Sequence, residues 1–249
     1  MAFINPRKLL RSFILSKLSL KYLFRYIREF YFFKAQLLKR GSQIELKKFP
    51  ILRDYRPSHE IDYHYTYHPA WALRKVLKIA PQTHIDFASK LDFSLSLSAF
   101  LPVVYHDFRK VNLRFSNFKS VASNLMSLPF ENNSIESLSC MHVIEHIGLG
   151  RYGDPINLDG DILAINEILR VLAVGGYFVF VVPVSGSNRI EFNAHRVYSY
   201  KYIMEIFNSL KLLEFSLVTD NGEFIENCEP SEVDIQNYGC GCFLFKKEL

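Results

Sequence analysis

The chain predicts an α/β fold: an open, mainly parallel, doubly wound sheet preceded by a basic amphipathic helical arm. Three observations predict it. From residue 83 onward, short apolar runs alternate with stretches of helical period, the order that builds parallel sheets. The run GYFVFVVPV (176–184) is continuously apolar, as a strand covered on both faces should be. Charge is divided unevenly. Residues 1–48 hold twelve Lys/Arg against two Glu, a balance of +10, whereas the rest of the chain is −5 and the whole is +5.

The first element is RKLLRSFILSKLSLKYLFRYIREFYFFKAQLLKR (7–40), which contains neither Pro nor Gly. Leu20, Leu23, Phe24, Ile27, Phe30, Tyr31 and Leu38 recur at helical spacing, and Lys17, Lys21, Arg25 and Arg28 recur beside them. Charges interrupt every apolar run well short of the ~18–20 residues that span a bilayer. Two readings fit: a basic helix lying on an anionic membrane face, or a helix packed on its own domain or on a second subunit of a homodimer. A linker with Gly41, Pro50 and Pro57 follows at 41–58. The stretch DYHYTYHPAWALRKVLKIAP (62–81) then reads as an aromatic, His-rich entry to a short helix. Its His64, His68, Tyr63, Tyr65, Tyr67 and Trp71 either line a pocket or cover the edge of the main domain. The expected organisation is therefore an arm (1–48), a lead-in (49–82) and a main domain (83–249).

In the main domain, THIDFAS (83–89), LPVVYHDF (101–108), FKSVASN (118–124) and IESLSCMHV (135–143) read as strands, the first followed by a helix-compatible stretch to Phe100. LDGDILAINEILRVL (158–172) reads as a helix with Ile162, Ile165, Ile168, Leu169 and Leu172 on its apolar face, stopped by Gly175-Gly176. After the apolar strand come the helix YSYKYIMEIFNSL (198–210) and two closing strands, KLLEFSLVT and GCGCFLFKK. Ligands of such sheets bind at the carboxyl ends of the strands, where strand order reverses.

With 249 residues, 49% of them hydrophobic, the chain is long enough to bury a sizeable core and is not disordered. Four Cys (140, 228, 240, 242) without a secretory signal point to a reducing, cytoplasmic location, at most peripheral to the inner membrane face. Cys240 and Cys242 share a strand face, but with Cys228 they lack zinc-site spacing, so no metal is expected. The two glycines between and before them, 239 and 241, suggest close packing instead. The acidic body and the lack of an N-P-P-Y type motif argue against a nucleic-acid partner.

NLMSLPFENNSIESLSCMHVIEHI (124–147), followed by a helix ending EILRVLAVGGYFVFVVP, resembles the class I S-adenosylmethionine (SAM)-dependent methyltransferases over about residues 83–215. EHIGLGRYGDP, FNAHRVYS and YGCGCFLFKK further resemble an uncharacterised methyltransferase-like family. It is catalogued as a domain of unknown function in bacteria and nematodes, and its bacterial members are often associated with surface-polysaccharide genes. The resemblance implies a seven-stranded Rossmann-like fold and SAM as cofactor. Its acceptor would be a saccharide, a glycolipid precursor or another small molecule. The alternative is a non-catalytic methyltransferase-like scaffold of an envelope pathway.

Carried over residue by residue, the resemblance assigns the turn Asp86, Ala88 and Ser89 to cofactor binding. The family's turn is Gly-rich and this one has no Gly, so a Cβ at a left-handed position would cost roughly 1–2 kcal/mol. Asp107 at the end of the second strand would accept from the ribose hydroxyls, because an ionised carboxylate is a charged two-oxygen acceptor. Otherwise it is a helix N-cap or pairs with Arg109. Asn124 and the Leu125 amide would serve adenine, and His142 closes the cofactor side. Methyl transfer itself needs alignment and, for a hydroxyl acceptor, a base. Glu145, His146 and His195 are the candidates, since His titrates near neutrality. Arg151, Asp154, Arg189 and Arg196 are candidates for binding the acceptor.

Overall fold

The computed structural model describes residues 6–41, 43–52 and 61–248, with side chains from residue 20 onward. Residues 42 and 53–58 of the expected linker, Pro57 among them, and the side chain of Lys17 lie outside the described residues. Two compact units are present, residues 1–60 and 61–249.

The described part of the first unit is one long helix, α1 (Pro6–Lys39), and a segment after it without strands among its described residues. Arg25 and Glu29 pair across one turn at 2.6 Å. The Phe49 amide donates to the Tyr26 hydroxyl at 2.9 Å, and Lys48 stands 5.4 Å above the Phe30 ring, so the following segment returns along the helix. Phe24, Phe32 and Phe33 are exposed. No described helix is long and apolar enough to cross a membrane.

The second unit begins with α2 (Tyr63–Ile79), capped by Asp62, whose carboxylate accepts from the Tyr65 amide at 3.1 Å. Then come β1 (His84–Phe87), α3 (Leu91–Leu97), β2 (Val103–Asp107), β3 (Phe118–Ala122) and β4 (Ile135–Met141). After a 3₁₀ turn (Ile144–His146) follow α4 (Gly160–Val171), β5 (Leu172–Val184), β6 (Arg189–Glu191), β7 (His195–Val197) and α5 (Tyr200–Ile206). The last strands are β8 (Leu210–Val218), β9 (Phe224–Ile225) and β10 (Gly239–Lys247). The sheet order is β3-β2-β1-β4-β5-β10-β8-β9, so strand order reverses between β1 and β4. Strands β3 to β5 run parallel, and β10 lies antiparallel between β5 and β8. The expected fold class is correct. The sheet has eight strands rather than seven because the two-residue β9 adds an edge.

Period-2 alternation in β5 explains its unbroken apolar run. Phe178, Phe180, Val182 and Val184 face one side, in the core that contains Ala164, Ile165 and Ile168 of α4 and Ile203 of α5. Val179 and Val181 face the other, in the core that holds Trp71, Ala72 and Val76 of α2 and Phe93 and Leu97 of α3. The aromatic lead-in is therefore a covering helix of the sheet through Trp71, Ala72 and Val76, while Tyr63, His64 and Tyr65 of its first turn line a cleft. Trp71 anchors it, fully buried and donating Nε1–H to Glu214 at 2.9 Å.

Two local expectations change. The buried stripe of α4 is Asp161, Ala164, Ile165, Ile168 and Val171, leaving Ile162 only partly covered. Gly175-Gly176 do not stop that helix. It ends at Val171, and both glycines lie inside β5 at a register shift opposite Ile135–Ser137. A Cβ on Gly176 would stand 3.0 Å from the Ile135 carbonyl oxygen, so the strands could not approach. The β6–β7 hairpin, between β5 and α5, pairs Arg189 with Val197.

Candidate functional site

Four adjacent strands end at one cavity of about 300 Å³. Its lining includes Ala88 after β1, Asp107 at the end of β2, Asn124 and Leu125 after β3, and His142 after β4. This is the crevice that the reversal between β1 and β4 opens. A second, open cleft of about 990 Å³ adjoins it, and His142, His146 and Tyr152 line both.

The Gly-free turn takes a left-handed conformation that glycine adopts most readily. Ala88 has φ of 52°, and its amide donates to the His106 carbonyl at 2.8 Å. The strain is held in place from below. Asp86, fully buried, accepts from the hydroxyls of Ser89, Ser94 and Ser139. Ser89 Oγ accepts in turn from the Met141 amide at 3.1 Å, tying the turn to β4. His84 extends the network, its ring nitrogens 2.8 and 2.9 Å from Ser137 and Ser139 Oγ. Burial raises the Asp86 carboxyl to about 6 and lowers the His84 imidazole to about 3. Asp86 and Ser89 thus stand beneath the turn as its support, while Ala88 faces the cavity.

Asp107 is half-buried on the cavity wall. One oxygen accepts from the Arg109 amide at 2.8 Å and the other from the Tyr105 hydroxyl at 3.0 Å. Each carboxylate oxygen keeps a lone pair beyond these bonds. Asn124 Oδ1 accepts from the Met126 amide at 3.0 Å, which closes the turn after β3. Arg109 stacks 4.9 Å over the Tyr152 ring, closing the outer rim.

The loop after β4 carries the other candidates. His142 has φ of 55°, and its Nδ1 is 2.9 Å from Glu145 Oε1. Glu145 is almost wholly buried, and its Oε2 has no hydrogen-bond partner among the described residues. His146 Nδ1 lies 2.7 Å from the Ala194 carbonyl oxygen, to which Arg151 also donates at 3.0 Å. Burial lowers the His146 pKa, so the ring is neutral at neutral pH. Asp154 accepts from the amides of Gly148 (2.8 Å), Gly150 and Tyr152, and so shapes the loop from within. Gly148 has φ of 79°, and a Cβ there would strike the Asn157 carbonyl at 2.1 Å.

His195 lies across the cleft beside Tyr238, its Nε2 3.3 Å from Glu191. Arg196 is buried and donates to the carbonyls of Ile147 and Leu158, 2.7 and 3.0 Å away, so it acts as a strut behind the loop. Arg189 pairs with Glu191 at 2.9 Å and lines neither cavity. Of the four acceptor-side candidates, only Arg151 and Asp154 border one of the two spaces. Tyr152 and Tyr238 were not singled out from the sequence, although both sit inside the quoted motifs.

This sheet order, with an antiparallel strand set next to the last parallel one, is a Rossmann-like fold shared with solved methyltransferase structures. Residues 106–225 match the model of a family described as "Caenorhabditis protein of unknown function, DUF268". No curated protein matches the chain. Among solved structures, a Burkholderia thailandensis 1,6-didemethyltoxoflavin-N1-methyltransferase, with bound 1,6-didemethyltoxoflavin and S-adenosylhomocysteine, superposes with a TM-score of 0.53. It is 12% identical, over 74% of this chain and 81% of that one. YcgJ from Bacillus subtilis gives 0.52 at 13% identity over 74% and 99% of the two chains. The N-methyltransferase NodS from Bradyrhizobium japonicum, in complex with S-adenosylhomocysteine, gives 0.51 at 13% over 76% and 89%. At these identities the likeness establishes the fold.

Proposed function

We propose that the protein is a SAM-dependent methyltransferase acting on a small-molecule acceptor. One observation carries the reading: a cavity at the strand-order reversal, walled by Ala88, Asp107 and Asn124, that adjoins a larger polar cleft through His142 and His146. The residues suit the cofactor. Ala88 already holds the left-handed turn, and Asp107 presents a carboxylate at the position suited to a ribose diol. When bound, SAM supplies an electrophilic methyl group on a good leaving group. The chain's part is then to orient the acceptor in the adjoining cleft and to take its proton. With Nδ1 turned to the Ala194 carbonyl, His146 has Nε2, 3.7 Å from Glu145 Oε1, as the nitrogen that accepts that proton. Arg151 at the cleft wall suits an anionic or hydroxyl-rich acceptor.

The finer reading is a saccharide or glycolipid precursor, in surface-polysaccharide biosynthesis at the inner membrane face. It is supported by the motif resemblance and by the basic, aromatic character of α1, which suits an anionic lipid surface. The alternative is a non-catalytic methyltransferase-like scaffold; the left-handed φ that Ala88 adopts without glycine favours the enzyme reading over it.

Calorimetry with SAM on the intact chain tests the proposal. One site per chain is expected, and Asp107→Ala should weaken it roughly 10- to 100-fold, the worth of charge-assisted hydrogen bonds. No binding by folded protein would overturn the reading.

A further inference from the structure

The first turn of α2, the turn after β4 and the start of β10 converge on one point. His64, His142 and Cys240 each offer a ligand atom there, and these atoms all lie within 4.8 Å of one another. We propose that they form a binding site for a single zinc-class transition-metal ion, with its remaining position open to the larger cleft. Imidazole and thiol donors select such ions over calcium or magnesium, which take oxygen ligands.

One pair already has metal-ligand spacing, and the third atom closes on the ion by a side-chain adjustment, since the set extends to 4.8 Å. His142 Nε2 and Cys240 Sγ are 3.4 Å apart. A tetrahedral zinc ion with bonds of about 2.05 Å to nitrogen and 2.3 Å to sulfur sets such a pair roughly 3.6 Å apart. Without metal, the same contact is a thiol-to-imidazole hydrogen bond. Metal entry replaces it by losing the Sγ proton to solvent and forming the metal–thiolate bond.

The surroundings are those of a metal-binding histidine. His142 Nδ1 faces Glu145 Oε1 at 2.9 Å, which fixes the tautomer with the Nε2 lone pair turned to Cys240. Two further buried atoms, Glu145 Oε2 and His68 Nε2, lack hydrogen-bond partners among the described residues. His68 stands edge-on to His142, the ring centroids 4.9 Å apart. A buried polar atom left unpaired costs on the order of 1–3 kcal/mol, so several beside one another mark a place built for something polar. His64 and His142 line the cleft and Cys240 is wholly buried, so an ion here is gripped from the core and approached from the cleft. Cys240 contacts the His142 imidazole directly, and His64 offers its ligand atom within 4.8 Å.

The site stands on its own geometry and does not require the methyl-transfer reading. The test uses the full chain, stripped with chelator and titrated with zinc by calorimetry, then with cobalt(II) as a spectroscopic probe. One ion per chain is expected, with a thiolate-to-cobalt charge-transfer band. Cys240→Ser and His64→Ala should each weaken zinc by about a hundredfold or more and Cys240→Ser should remove the band, while Cys228→Ala keeps both. Failure of folded wild-type chain to bind zinc overturns the proposal, as does unchanged binding in His64→Ala, whose half-buried position keeps that variant informative if Cys240→Ser misfolds. SAM calorimetry runs beside it. Zinc binding without SAM binding ends the methyl-transfer reading and leaves the metal site, and the converse result does the reverse.

Discussion

Two buried carboxylates stand on either side of the candidate site, and they are treated oppositely. Asp86, beneath the turn after β1, receives three serine hydroxyls. Glu145, beneath the turn after β4, uses one oxygen on His142 and leaves the other unpaired. Both adjoining turns carry a non-glycine residue in the left-handed region, Ala88 and His142. The saturated side is a scaffold that spends its polar groups on itself. The unsaturated side keeps polar capacity turned toward the cleft, as sites that bind and react do.

The sharpest way to break this comparison is to remove the base on the open side. His146→Gln should lower methyl transfer by roughly 10²- to 10⁴-fold while SAM affinity stays within a few-fold. Transfer of label from methyl-labelled SAM to small-molecule extracts measures it, and full activity in the variant would move the base elsewhere.

A second prediction concerns the saturated side and pH. His84 sits at about 3 when folded against 6.5 unfolded, and His106 is lowered by burial to about 4. In the unfolded chain both take up protons first, so their stabilisation is complete above pH 6.5 and is lost as pH falls. Asp86, raised from 3.8 to about 6, acts in the other direction: its contribution is complete below pH 3.8 and is lost as pH rises through 6. The histidines outnumber it, so denaturant midpoints should fall as pH drops from 6.5 to 4. Asp86→Asn removes the opposing contribution and should steepen that fall by up to about 1.4 kcal/mol per pH unit. An unchanged slope would mean that Asp86 is not the buried, proton-binding support described.

The smallest effect belongs to the turn itself. Ala88→Gly relieves the positive φ but adds unfolded-state entropy, so a net gain of under about 1 kcal/mol is expected. A loss of stability on thermal unfolding would show that the Ala88 methyl packs usefully against the cavity.

Much of the fold was legible because its signals are local. The alternation of apolar and amphipathic runs located β1 to β5, α4, α5, β8 and β10 to within a few residues. Gly175-Gly176 misled, because two glycines after a helix look like a cap, and only the carbonyls of the neighbouring β4 reveal that Gly176 admits strand contact. The candidate site was legible where it sits at strand ends, as with Asp107 and His146. It was illegible where it depends on distant partners. Nothing near Arg196 in sequence says that its guanidinium is consumed by carbonyls at 147 and 158. Likewise Cys240 meets His142 across 98 positions, a pairing that no local spacing encodes.

One further consequence lies in the position of β10. It follows every other described strand in the chain, yet it is an interior strand, bonded to β5 on one side and β8 on the other. A nascent chain that has reached residue 236 therefore carries two unsatisfied strand edges, with Phe180 and Phe215 still lacking Phe243 between them. Sheet closure and the arrival of Cys240 beside His142 are therefore one folding event. The cleft thus matures only in a chain synthesised through β10, and a prematurely terminated product would be sticky and siteless at once, an easy target for cellular quality control.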